Sequence, residues 1–151
     1  MGVIVRTDWS ASKKQSFGNT PPVTMAMIED GTSKTLLIGE KRLASSRYET
    51  GDWHDDRGWS DGWDPDTIRS TAFPVRQDVI VPSDDQALAT AAGGSGVNRF
   101  YGFCFGSAHP GGINMSFADG SVHTINYDVD ALVFNQLGHR ADGAAVSLED
   151  L

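Results

Sequence analysis

The sequence predicts a strand-rich α+β domain, an antiparallel sheet with long loops and one short carboxy-terminal helix. Three observations carry that expectation. Short apolar runs at residues 35–40 and 113–117 have strand length and are bounded by turn residues. Asp119-Gly120 sits between two such runs, a strong local hairpin signal. Helical spacing is sustained only at Val129, Leu132, Val133, Gln136 and Leu137, ahead of Gly138.

Taken in chain order, Val3-Ile4-Val5 reads as a strand and residues 10–22, ending in Pro21-Pro22, as a loop. Asp30-Gly31-Thr32-Ser33 is a turn leading into a buried strand over residues 35–40. Residues 48–66 are aromatic, acidic and turn-rich, without a sustained period. Residues 76–81 form another short strand, stopped by Pro82. Residues 87–92 fit one or two helical turns, and Gly93-Gly94-Ser95-Gly96 a flexible loop. With a two-residue Asp119-Gly120 turn, Phe117 faces Val122 and Ser116 faces His123. Met115, Phe117, Val122 and Thr124 then share the core face, with Ser116 and His123 on the other. Asp128 or Asp130 caps the helix that follows. The tail adds an edge strand through Ala145-Val146-Ser147 or frays.

The 151 residues make one domain, spanning 1–151. No apolar run approaches the roughly 18 residues of a membrane span. Net charge is −8, with residues 1–48 at +3 and residues 49–151 at −11. That field opposes a nucleic-acid partner and fits a solvated acidic face, a hard cation or a basic partner. Cys104, the only cysteine, lies between two phenylalanines and reads as a buried, inert thiol.

Four segments carry a family resemblance. They are the run from Asp30-Gly31-Thr32-Ser33 to Gly39-Glu40-Lys41, the aromatic loop from Gly58-Trp59 to Arg69, the segment from His109 to Asp119-Gly120, and Arg140-Ala141-Asp142-Gly143. In this order they resemble DUF1559, a family of prepilin-type proteins abundant in planctomycete-like bacteria, with its H-x9-D-G segment. Members of that family usually begin with a prepilin leader running into a long hydrophobic helix. The resemblance therefore implies that this chain corresponds to the carboxy-terminal globular portion. It further implies an exported, extracellular or cell-envelope pilin- or pseudopilin-like structural domain. Its partners would be other pilin-like subunits or envelope proteins, and its only membrane contact a helix preceding this portion.

Candidate sites each admit two readings. Asp61, Asp64 and Asp66, in a run that also holds Asp52, Asp55 and Asp56, have the carboxylate spacing a calcium ion uses. The same residues also serve as turn caps. Trp53, Trp59 and Trp63 fit a carbohydrate- or peptide-binding platform, or ordinary packing. His109, Asp119 and Gly120 read as a structural motif. Nine intervening residues would hold His109 and Asp119 about 30 Å apart if extended, so they are not a dyad. His54 and His123 are lone histidines. With no H-E-x-x-H, no G-x-S-x-G and no nucleophile beside a base, the sequence argues against an enzyme.

Overall fold

The computed structural model describes residues 2–5, 9–10, 15–16, 22–51, 55, 66–78, 101–144, 146–147, 149 and 151. The described strands are β1 (Trp9–Ser10), β2 (Gln15–Ser16), β3 (Leu36–Gly39), β4 (Arg76–Gln77), β5 (Gly106–Ser107), β6 (Gly112–Phe117) and β7 (Val122–Asn126). Among the described residues one α-helix, α1 (Ala131–Leu137), follows them, and 3-10 turns punctuate the loops. The expected strand-rich α+β class is the one observed.

An antiparallel sheet in the order β3-β6-β7 forms the centre. β6 lies in the middle, with a burial alternation that suits it to that place: Ile113, Met115 and Phe117 are at most 1 % exposed, while Asn114 faces solvent. Ile125 from β7 and Leu36 from β3 join that inner face, and Phe134 and Leu137 of α1 cover it. Phe105 meets Phe134 edge-on, with ring centroids 5.9 Å apart. Burying each such side chain contributes roughly 1.5–3 kcal/mol. Cys104 is buried, as expected.

The hairpin forms, but in a different register. Ser116 faces Val122 and Met115 faces His123. Phe117 N–H donates to the Ser121 carbonyl, so Phe117 does not face Val122, and Gly120 N–H donates to the Phe117 carbonyl, both at 2.9 Å. The loop therefore has three residues, the pattern of a turn closed by a left-handed glycine, with Gly120 at φ +86°. One residue of slip turns β7 over. Val122, 64 % exposed, and Thr124 point outward, while Ile125 and His123 point inward. The His123 ring stands edge-on to Phe117, centroids 5.1 Å apart. Two effects favour this register. It buries Ile125 in place of Val122, and the longer loop lets Ala118 and Asp119 donate N–H to the Thr35 and Thr32 carbonyls.

Other expectations shift similarly. Val3-Ile4-Val5 is not a strand; Ile4 is exposed, and the segment is held where Arg140 donates to the Gly2 carbonyl at 2.6 Å. β3 is a half-buried edge strand whose Ile38 faces solvent. Asp130, not Asp128, caps α1 by accepting the N–H groups of Leu132 and Val133. Leu132 points outward and Phe134 inward. Gly138 ends the helix at φ −79°, where an added Cβ would lie 2.0 Å from the Thr71 hydroxyl, so close packing is what selects glycine there. The tail docks by burying Val146 and adds no strand at residues 146–147; Ala145 lies outside the described residues. So do residues 79–81 and 87–96.

Two glycines are needed for different reasons. Gly120 has open space around its missing side chain, so Gly120→Val should cost about 1–2 kcal/mol through backbone strain alone. Gly106 has ordinary φ, but an added Cβ would meet the Arg76 carbonyl at 2.2 Å and Arg42 Cβ at 2.5 Å. Gly106→Ala should therefore destabilise more, by about 3 kcal/mol, because backbone must move. Urea unfolding of both variants checks the order; the reverse order would contradict these packing assignments.

Candidate functional site

His109 and Asp119, two of the residues flagged by the sequence, lie beyond opposite ends of β6. At its start stands Glu40. Its N–H donates to the Asn114 carbonyl at 3.4 Å, while its own carbonyl turns away and accepts from Gly106 N–H at 3.0 Å. The Asn114 N–H loses the backbone acceptor that a regular ladder would supply. The Glu40 carboxylate takes that place, accepting the Asn114 N–H through Oε2 at 2.6 Å. Its Oε1 lies 3.3 Å from His109 Nε2. His109 is itself fixed through its backbone. Its N–H donates to the Ser107 hydroxyl at 3.0 Å, and its carbonyl accepts from the Tyr127 hydroxyl at 2.7 Å. His109 and Glu40 thus anchor the entry to β6.

Asp119 and Gly120 lie beyond the other end of this six-residue strand. Asp119 Oδ1 accepts both the N–H and the hydroxyl of Ser121, at 2.9 and 2.7 Å. The Ser121 hydroxyl and then its N–H hold the Asp119 carboxyl below its ordinary range. His109 and Asp119 are accordingly separate structural posts and not a dyad.

A third clasp joins residues far apart in sequence. Asp30 accepts the N–H groups of Asp142 and Gly143 at 2.8 and 2.9 Å, while the Arg140 carbonyl accepts the N–H groups of Glu29 and Asp30. The Asp142 N–H, foremost among several hydrogen bonds, holds the Asp30 carboxyl below its ordinary range. Asp78 repeats the device, accepting Leu43 N–H at 2.8 Å and the Tyr48 hydroxyl at 2.8 Å. Sequence reasoning missed Asp30, Glu40, Asp78 and Asp142 as individual residues. The available signal was a carboxylate beside glycine in Asp30-Gly31, Gly39-Glu40 and Asp142-Gly143.

A cleft of about 640 Å³ opens on the far side of β3. It is lined by all four β3 residues, by residues 2–4 and 66–72, and by Phe105 and the end of α1. Of the proposed calcium ligands, Asp66 is buried near this cleft, and its carbonyl accepts from Lys41 Nζ at 3.2 Å. Lys41 also pairs with Asp55. Asp61 and Asp64 lie outside the described residues, as do Trp53, Trp59, Trp63, Asp52, Asp56 and His54. Among the described residues, no group of three or more His, Cys, Asp or Glu is placed to hold a metal ion, and no helix is long and apolar enough to cross a membrane.

The lowered Asp30 and Asp119 carboxyls make stability depend on pH with a definite sign. Their contribution is fully present above the unfolded-state value of about 3.9 and is lost as pH falls through the lower folded-state values. Unfolding midpoints measured from pH 7 to 2 should therefore fall below pH 4. Asp30→Asn should be less stable at pH 7 and lose less on acidification. An equal acid slope in wild type and variant would remove Asp30 from this account.

A family model described as "Protein of unknown function (DUF1559)" matches residues 6–132. No curated protein and no solved structure matches the chain. The match spans well over half the sequence and takes in the residues that build both ends of β6. The chain belongs to the DUF1559 family.

Proposed function

We propose that this chain is a non-enzymatic structural head, an exported pilin- or pseudopilin-like domain that works in assembly or surface presentation at the cell envelope. One observation supports the reading above others. The polar side chains in the segments resembling the family's motifs are engaged in holding backbone: Asp30 with Asp142 and Gly143, Glu40 with Asn114, and Asp119 with Ser121. A catalytic carboxylate needs a free lone pair aimed at a substrate position, beside a partner that tunes it. These carboxylates are instead aimed at N–H groups of their own chain. In the proposed role, other envelope subunits are the partners, and a helix preceding this portion supplies the anchor.

Calcium in the acidic loop is the proposed cofactor, with Asp61, Asp64 and Asp66 as its ligands. Hard-cation sites are built from closely spaced carboxylates and loop carbonyls, and this stretch supplies both.

Two experiments test these statements. Fractionation of source cells making epitope-tagged full-length protein should place it in the envelope, and His109→Ala should abolish no activity in a broad hydrolase screen. A cytoplasmic location, or an activity lost in His109→Ala, would overturn the structural-head reading. For the metal, thermal unfolding of chelator-treated protein should rise on adding calcium at 100 times its dissociation constant. The gain is about 2.7 kcal/mol, or several degrees, and should disappear in Asp61→Ala. An unchanged midpoint would remove calcium and leave the head.

A further inference from the structure

The geometry points to a transition-metal site at the entry to β6, where Glu40 Oε1 and His109 Nε2 together bind one zinc-class divalent ion. It goes beyond the envelope-head reading, does not rest on it, and is separate from the calcium proposed for the acidic loop. The two atoms come from segments far apart in sequence and lie 3.3 Å from each other. A charge-assisted N–H···O hydrogen bond is shorter, at about 2.7–2.9 Å. Zinc holds an imidazole nitrogen at about 2.0–2.1 Å and a carboxylate oxygen at about 2.0–2.2 Å. Two such ligands at a tetrahedral angle stand about 3.3–3.5 Å apart. Glu40 and His109 are therefore spaced as ligands of a shared ion.

Both ligands are held in place by their surroundings. Glu40 Oε2 accepts Asn114 N–H at 2.6 Å, which orients the carboxylate and leaves Oε1 toward His109. The His109 backbone is clamped on both sides, by the Ser107 hydroxyl on its N–H and the Tyr127 hydroxyl on its carbonyl. Hydrogen bonds of this kind, one step removed from the metal, orient its ligands and raise affinity. The His109 and Glu40 side chains are 59 % and 35 % exposed, so water reaches the remaining positions of a tetrahedral ion.

The local charge favours a cation. The Tyr127 phenol beside the pair is pushed up by burial first, then by the charge of Asp78, with Glu40 adding to it. Lys41, the cationic neighbour of Glu40 in sequence, is turned to Asp55 and the Asp66 carbonyl. An imidazole beside a carboxylate selects zinc, copper or nickel over magnesium and calcium, which prefer oxygen ligands alone. Two protein ligands are fewer than an enclosed zinc site has, so the ion binds reversibly.

The test titrates zinc chloride into the full chain while NMR follows the imidazole nitrogens, with magnesium as control. His109 Nε2 should shift saturably, further than the nitrogens of His123 and His139, and magnesium should leave it unmoved. Glu40→Gln keeps an oxygen for the Asn114 N–H while removing the charge, and should weaken zinc at His109 at least tenfold. In His109→Ala, the zinc stoichiometry read by calorimetry should fall by one ion per chain. Metal-free unfolding midpoints show that both variants fold. A His109 nitrogen indifferent to zinc, or equally responsive to magnesium, would overturn the proposal. So would full affinity in Glu40→Gln, or an unchanged stoichiometry in His109→Ala, which would assign the zinc to other residues.

Discussion

The structure depends on finding acceptors for backbone N–H groups where ladders are scarce. Most described strands are short, and among the described residues a seven-residue helix is the longest regular element. N–H groups at turns and strand ends need acceptors outside a ladder, and a charged carboxylate makes a stronger one than a neutral group. Carboxylates meet that need repeatedly. Asp30, Glu40, Asp78, Asp119, Asp130 and Asp142 all accept main-chain N–H groups. An acidic chain with a net charge of −8 is in part the consequence of a loop-rich fold whose turns are tied by side chains.

This changes the meaning of the residues that first draw attention. His109 and Asp119 look like a catalytic pair in one dimension, yet β6 separates them. Glu40 shows the logic most clearly. Its backbone leaves β6 to reach Gly106, and its side chain fills the position left behind. The central sheet is thereby joined to the segment around Phe105 without an orphaned donor.

Local features were legible in the sequence, and non-local ones were not. Asp119-Gly120 announced the hairpin, and Gly138 the end of α1, because both signals act within a few residues. The hairpin's register was not legible, since it depends on docking of Ala118 and Asp119 onto the Thr35 and Thr32 carbonyls. Val3-Ile4-Val5 has strand composition, but no described strand lies beside it to pair with. Leu132 fits the helical spacing as well as Phe134 does, and only the position of the sheet decides which one is buried. The link from Asp30 to Gly143 crosses more than a hundred residues. No periodicity reports it, although the adjacent glycines mark where the backbone turns tightly enough to present N–H groups.

Residue-resolved amide exchange at neutral pH tests the central claim most directly. The N–H groups of Leu43, Asn114, Asp142 and Gly143, each accepted by a carboxylate, should exchange as slowly as those of the β6–β7 ladder. Exchange at unprotected rates in the folded protein would contradict the account, because the carboxylates would then be surface charges and not the acceptors on which the fold rests.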